Sequence, residues 1–205
     1  MSRNNFSRAA IPRPFGAANW VTAARAVYAA FLLGYGAVAL YVPAPPSPSL
    51  RWFWVVGALG ALALDGVDGR LARRLGQASA FGARFDMETD AATLAGLSLL
   101  VWLSGQAGPW VLLSGLMRYI FVLGGWLWPI LAAPLPPRRR RQIICVAQTA
   151  VLIFVVAPPI SPSAAAPLCL AALAVLSYSF AVDVAWLAAN GTEDKAAGEK
   201  KEAVV

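Results

Sequence analysis

The residues best suited to do chemistry are clustered in one part of the chain. Five of its ten acidic residues lie in a stretch of 26 positions flanked by apolar runs: Asp65, Asp68, Asp86, Glu88 and Asp90. In a helix, Asp65 and Asp68 share one face because they are three residues apart. Asp86 and Asp90 are four residues apart, so they also share one face. If the two faces meet, up to eight carboxylate oxygens surround one point, which is a site for a hard divalent cation. Glu88 lies off that face, so we expect it to support the ligands or to be solvated.

The composition of the 205-residue chain indicates the environment of these acids. The chain is 59% hydrophobic and only 13% charged, and its mean hydropathy is +0.63, as is typical of a helical membrane protein with several spans. The net charge of +7 does not indicate a nucleic-acid partner, because much of the Arg and Lys lies in short connections between apolar runs. The chain contains no His, so acid–base chemistry falls to carboxylate, Lys, Tyr, Cys or water.

Apolar runs separated by Pro, Gly or charged segments predict an all-α polytopic membrane protein with six transmembrane helices. The predicted spans are about 19–41, 51–64 with a helical continuation to about residue 75, 82–103, 110–130, 142–156 and 166–189. Residues 1–16 are expected to form an interfacial or flexible segment, residues 17–189 one transmembrane domain, and residues 190–205 a disordered tail.

The distribution of basic residues predicts the orientation in the membrane. Both termini, the region 65–84 and the loop with Arg138 to Arg141 lie on one side of the six-span arrangement. The loops on the other side contain Arg51 and no other charge. The positive-inside rule therefore predicts that both termini and the acidic stretch face the cytoplasm.

The acidic stretch also follows the pattern D-x2-D-G-x2-A-R-x8-G-x3-D-x3-D. Its fixed positions are Asp65, Asp68, Gly69, Ala72, Arg73, Gly82, Asp86 and Asp90. In this pattern and in its six-span layout the chain resembles the CDP-alcohol phosphotransferase (CDP-alcohol phosphatidyltransferase) family of integral-membrane phospholipid synthases.

The resemblance implies a transferase that moves a phosphatidyl group from CDP-diacylglycerol to a small polar alcohol and releases CMP. It implies that Asp65, Asp68, Asp86 and Asp90 bind Mg²⁺ or Mn²⁺, and that Asp90 also acts as general base. About two such ions would clamp the pyrophosphate of the nucleotide lipid. The resemblance further implies a homodimer in the bacterial inner membrane, with the active site facing the cytoplasm.

Other residues near the aspartates are expected to contact the nucleotide and its pyrophosphate. Gly69 and Gly82 have no side chain, so the nucleotide can approach the backbone closely. The small side chain of Ala72 leaves room on the same helix face. Arg73 offers a planar fork of donors to a phosphate.

The start of the first span carries a second pattern. Asn19, Thr22 and Arg25 form an N-x-x-T-x-x-R opening similar to that of bacterial members of the family. On this interpretation Asn19 and Thr22 contact the nucleotide, and Arg25 contacts the acceptor. The alternative is a helix start with polar interface residues.

The sequence indicates the acceptor alcohol less specifically than it indicates the nucleotide lipid. Arg118 lies inside the fourth span, where a charge should face a protein interior or a wet cavity. It either binds an acceptor phosphate or forms a buried ion pair, for which Asp183 is a candidate. Arg138 and Arg139 are further candidates for acceptor contacts, with topological anchoring as the alternative.

These cations favour a phosphorylated acceptor, glycerol 3-phosphate first, while inositol phosphate, serine or another alcohol remain open. CDP-choline or CDP-ethanolamine with diacylglycerol is a less favoured pairing. Two alternatives involve no such reaction: a network of salt bridges between the aspartates and neighbouring arginines, and a divalent-cation transporter. A transporter should place its carboxylates near the middle of the bilayer, whereas these lie at helix ends.

Overall fold

The structure of the protein is a computed structural model, and it describes residues 17–42, 44–74, 80–132 and 139–202. Within these ranges the side chains at positions 17, 18, 67–74, 80, 129, 132 and 190–202 are not described. The described chain forms six α-helices and no strand: α1 (Ala17–Tyr41), α2 (Pro48–Arg74), α3 (Ala80–Leu103), α4 (Leu112–Leu127), α5 (Arg139–Val156) and α6 (Pro162–Glu202). Two short 3-10 turns, Pro109–Val111 and Pro129–Ala132, flank α4.

The all-α fold class predicted from the sequence is confirmed, and each predicted span coincides with one helix. The second helix continues without a break through Asp65 to Arg74, as predicted. The last helix differs, because its backbone continues to Glu202 where the composition predicts a disordered tail. Ala, Glu and Lys dominate that segment, and all three have high helix propensity. Residues 1–16 lie outside the described residues, so their location at the membrane surface stays a prediction.

Among the described residues, three helical segments are long and apolar enough to cross a membrane: Asn19–Tyr41, Pro109–Leu127 and Pro162–Ala189. The other helices are less apolar because α2 and α3 carry the acidic stretch and α5 opens with three arginines. Six transmembrane spans and cytoplasmic termini therefore stay predictions.

Proline and glycine determine where several helices begin and end. Pro48 and Pro162 are the first residues of α2 and α6, where the missing N–H of proline removes no helical hydrogen bond. Gly105 turns the chain after α3 with a φ of 70°, a left-handed conformation that glycine adopts without steric cost. The break predicted between the third and fourth spans therefore lies where the sequence indicated.

The apolar core occupies one end of the helical bundle. Its largest buried members are Leu32, Trp54, Leu97, Leu100, Val101, Val111, Leu152, Val155, Val156 and Cys169. Most of them belong to the second halves of α3 and α5 and to the first parts of α2 and α6. The acidic residues lie toward the opposite end, in the second half of α2 and the first half of α3.

The third helix is central and lies against α1, α4 and α5. Glycines allow two of these close approaches. A Cβ atom added at Gly115 of α4 would lie 2.3 Å from the Cα atom of Ala95 on α3, and backbone cannot move aside as a side chain can. A Cβ atom added at Gly96 of α3 would lie 2.7 Å from Cβ of Leu32 on α1.

Polar contacts fasten α2 to its neighbours at the core end. Arg51 donates from Nε to the carbonyl of Val156 at 2.8 Å and from Nη2 to that of Ala157 at 3.1 Å. Carbonyls at the end of a helix lack partners within it, so the arginine caps α5. The Tyr28 hydroxyl donates to the carbonyl of Trp54 at 2.6 Å, which joins α1 to α2.

Candidate active site

Three of the predicted metal ligands lie together, one on α2 and two on α3. Carboxylate oxygens of Asp65, Asp86 and Asp90 all lie within 4.8 Å of one another. Asp86 and Asp90 are one helical turn apart, so both reach toward Asp65. This donor set contains only oxygen and carries up to three negative charges. It fits a hard divalent cation such as Mg²⁺ or Mn²⁺.

A buried arginine from α1 offsets part of the negative charge of this aspartate cluster, which we define as Asp65, Asp86 and Asp90. The side chain of Arg25 is 4% exposed, and its Nη2 lies 2.9 Å from Oδ1 of Asp65. Its Nη1 lies 2.7 Å from Oδ1 of Asp86, and Nη2 also contacts Oδ1 of Asp90. Grouped carboxylates repel each other unless a cation lies among them. The carboxylates therefore already converge on a positive charge.

The polar opening of the first helix faces the interior of the bundle. Asn19, Thr22 and Arg25 are spaced by three residues and are 9%, 4% and 4% exposed. The sequence predicts a contact between Arg25 and the acceptor, and the structure places Arg25 among the aspartates. The contacts predicted for Asn19 and Thr22 with the nucleotide stay predictions.

Arg118 of α4 lies against α3. Its Nη2 contacts Oε1 of Glu88, and its Nη1 lies 2.7 Å from Sδ of Met87. Gly115, three residues earlier, packs on α3 and shares a face of α4 with Arg118, which explains the direction of the arginine. The side chains of Glu88 and Arg118 are 52% and 27% exposed. The pair thus lies at an accessible edge of the site.

Asp183 is not the partner of Arg118, contrary to the candidate pairing from the sequence. It is 3% exposed and accepts a hydrogen bond from Nη2 of Arg140 at 2.7 Å. Its other carboxylate oxygen lies 3.6 Å from Nε of Arg141. The sequence indicated Arg138 and Arg139 as the functional arginines of this segment, and the pairing of Asp183 with Arg140 and Arg141 was not predicted. A signal was present, because Asp183 is the only charged residue between positions 162 and 189 and a buried acid in an apolar helix needs a cationic partner.

Comparison with known proteins decides which chemistry this arrangement serves. A protein-family model described as CDP-alcohol phosphatidyltransferase matches residues 15–185. The chain belongs to the CDP-alcohol phosphatidyltransferase family. No individual curated protein and no solved structure shows a significant match to the chain.

As a member of the CDP-alcohol phosphatidyltransferase family, the chain is a membrane transferase of phosphate-containing groups that uses CDP-alcohol substrates. Divalent-metal dependence is general in the family, and the aspartate cluster supplies a donor set for it. Family membership favours this chemistry over the cation transporter considered from the sequence. It also accounts for the aspartates better than a purely structural network of salt bridges.

Several predicted site residues of this phosphatidyltransferase lie outside the described residues. Arg138 is in a range that is not described, and α2 is described only by its backbone at Asp68, Gly69, Ala72 and Arg73. Gly82 lies in the first turn of α3, four residues before Asp86. Arg139 is exposed at the start of α5. The roles assigned to these residues stay predictions.

The fifth helix packs against α2 and α3, the helices that carry the aspartate cluster. Its buried Gln148 donates from Nε2 to Oγ of Ser114 at 2.9 Å. This hydrogen bond joins α5 to α4 beneath Arg118.

Proposed function

We propose that this protein transfers a phosphatidyl group from CDP-diacylglycerol to a small polar alcohol, preferably a phosphorylated one such as glycerol 3-phosphate, and releases CMP. The observation that carries the proposal is the convergence of Asp65, Asp86 and Asp90 within 4.8 Å in a chain of this family. The positive-inside distribution of Arg and Lys supports an active site facing the cytoplasm, where soluble acceptors are available.

Asp65, Asp86 and Asp90, together with Asp68, would hold Mg²⁺ or Mn²⁺. When bound, such ions offset the charge of a pyrophosphate, stabilise the departing phosphate and acidify a nearby hydroxyl. The cluster suits this role because its three carboxylates come from two helices and already surround a cation, the Arg25 guanidinium.

Transfer requires one bond to form and another to break at the same phosphorus. The acceptor hydroxyl oxygen bonds to the phosphorus that carries diacylglycerol, and the bond from that phosphorus to the oxygen of CMP breaks. Asp90 takes the hydroxyl proton on a carboxylate oxygen, and CMP leaves with the electron pair of the broken bond. Asp90 can be positioned for this task because it lies one turn deeper in α3 than Asp86.

Arginines at the edge of the site support an anionic acceptor. Arg118 is 27% exposed, so a soluble ligand can reach it. Arg139 is exposed at the start of α5, next to Arg140 and Arg141 in the chain. Guanidinium groups bind a phosphate through charge-assisted hydrogen bonds.

The experiment is a screen of acceptors with the purified protein in detergent. CMP release from CDP-diacylglycerol would be measured with glycerol 3-phosphate, inositol phosphate, serine and glycerol, each with Mn²⁺ and with EDTA. We expect metal-dependent release, fastest with a phosphorylated alcohol. Release with serine or glycerol alone would contradict the proposed acceptor class, and no metal-dependent release with any alcohol would contradict the proposed reaction.

A further inference from the structure

Glu88 lies beside the aspartate cluster on α3 and faces a different helix. It stands two positions before Asp90, and residues two positions apart point to nearly opposite sides of a helix. Its Oε1 contacts Nη2 of Arg118 on α4, whereas Asp86 and Asp90 contact Arg25 on α1. The charge of Glu88 is therefore directed to Arg118 and not to the arginine in the aspartate cluster.

The Glu88–Arg118 pair lies at the same level of α3 as the aspartates. A helix rises about 1.5 Å per residue, so Glu88 and Asp90 are about 3 Å apart along the helix axis. Their side chains are 52% and 36% exposed, so both are accessible to a soluble molecule. The pair is thus placed to contact a part of the acceptor that does not react.

Stability does not account for the acid at position 88. Ion pairs with exposed partners typically shift the folding equilibrium by about fivefold or less, because water screens the attraction. Helix α4 already packs on α3 through the close contact of Gly115 with Ala95. The carboxylate is therefore of little use as a fastening between the two helices.

The pair keeps hydrogen-bonding capacity after its two side chains have met. A carboxylate has about four acceptor sites, and within the described residues the polar contact of Glu88 is with Arg118 alone. On the arginine, Nη1 meets Sδ of Met87 at 2.7 Å, and a thioether is a weak acceptor. A strong acceptor and a poorly satisfied donor thus lie side by side at an accessible edge.

This combination fits a hydroxyl group together with a phosphate better than a phosphate alone. A phosphate binds donors and is repelled by a carboxylate. A hydroxyl both donates and accepts, so it can donate to Glu88 while the phosphate of the same molecule accepts from Arg118. An acceptor that uses both side chains carries a phosphate, the hydroxyl that attacks and one further hydroxyl. That is a polyol phosphate.

We propose that Glu88 is a specificity-determining residue that accepts a hydrogen bond from a non-reacting hydroxyl of the acceptor. The proposal rests on the proposed function for the reaction and for the contact of Arg118 with the acceptor phosphate. It narrows the substrate class to polyol phosphates. A site that hydrogen-bonds a hydroxyl discriminates against the analogue without it, because that hydrogen bond is then not made.

The test compares glycerol 3-phosphate with 3-hydroxypropyl phosphate, which keeps the phosphate and the reacting hydroxyl but lacks the middle hydroxyl. With the full chain in detergent, kcat/KM would be measured by CMP release from CDP-diacylglycerol with Mn²⁺, and affinity by calorimetry. We expect the parent to favour glycerol 3-phosphate about tenfold in both measurements. Glu88→Ala should remove this preference by lowering the values for glycerol 3-phosphate alone.

Three further variants separate hydroxyl recognition from a structural role. Glu88→Gln keeps a carbonyl oxygen that accepts hydrogen bonds and should keep part of the preference. Met87→Leu is the matched control, because it removes another contact of Arg118 and should leave the preference unchanged. Arg118→Gln should weaken both compounds to a similar extent, because both carry the phosphate.

A parent that does not distinguish the two compounds would overturn the proposal, and so would a Glu88→Ala variant that weakens both equally. In either case CMP release would leave the transfer reaction standing. A Glu88-dependent preference for serine over both phosphates would also overturn it and assign the carboxylate to an ammonium group. A Glu88-dependent preference in calorimetry, without CMP release for any alcohol, would support the proposal and contradict the transfer reaction.

Discussion

Nη1 of Arg25 lies 2.7 Å from Oδ1 of Asp86, so a cation from α1 enters an aspartate cluster built by α2 and α3. The contact joins residues 61 positions apart in the chain. It shows that the site is assembled from three helices, and that the protein itself offsets part of its negative charge. An ion that binds there must compete with this guanidinium for carboxylate oxygens.

Replacing Arg25 should therefore lower the stability of the metal-free protein and increase the stabilisation that added metal provides. We expect Arg25→Gln to lower the free energy of unfolding in EDTA by about 2 kcal/mol, less than for a fully buried pair because Asp86 and Asp90 are 39% and 36% exposed. Added Mn²⁺ should then raise Tm more than it does in the parent. Thermal unfolding with and without Mn²⁺ measures both effects. Equal Tm values for the two proteins in EDTA would contradict this role.

Asp90→Asn tests the assignment of the general base. The amide cannot accept the hydroxyl proton, so kcat for CMP release should fall by about 10²- to 10⁴-fold. Tm in EDTA should stay close to that of the parent, because Arg25 retains its contacts with Asp65 and Asp86. Turnover at the parent rate would show that another group removes the proton.

Arg118→Gln tests the accessible edge of the site. If Arg118 binds the acceptor phosphate, KM for glycerol 3-phosphate should rise about tenfold, while KM for CDP-diacylglycerol stays the same. Glu88→Gln is the matched variant, because it removes the partner but keeps the arginine. It should lower the free energy of unfolding by less than about 1 kcal/mol, since the pair is partly exposed. An unchanged KM for Arg118→Gln would assign the arginine to the ion pair alone.

Gly115→Ala tests the packing of α4 on α3. The added Cβ atom would lie 2.3 Å from the backbone of Ala95, so the helices must separate and stability should fall by about 1–3 kcal/mol. Gly34→Ala is the control, because nothing lies within 4 Å of a Cβ atom added there. That variant should be neutral or slightly stabilising. Similar Tm losses for the two variants would contradict the tight α3–α4 contact.

The helices could be predicted from the sequence because their determinants are local. Proline and glycine interrupt the apolar runs, so the start of α2 at Pro48 and the turn at Gly105 follow from single residues. The aspartates could be found because a short pattern contains all of them. Because Asp86 and Asp90 are four residues apart, they must share a face of a helix.

The ionic partners could not be predicted because they depend on how each helix is rotated against its neighbours. Arg118 and Asp183 are both charges in apolar helices, and pairing them is the simplest assignment from the sequence. In the structure, Arg118 instead forms an ion pair with Glu88, and Asp183 forms one with Arg140. Gly115 fixes the rotation of α4 through a close contact with α3, and no local pattern reveals such a contact.

The separation of the apolar core from the aspartate cluster has a consequence for how a lipid reaches the site. Interdigitated side chains hold the helices together at one end, whereas at the other end salt bridges carry much of the cohesion. Amide hydrogen exchange should therefore be slowest near Leu97 and Val155 and faster near Asp86. Under the proposed function, CDP-diacylglycerol would enter between the helices at the end that carries the aspartate cluster, while the apolar core holds the helices together at the other end.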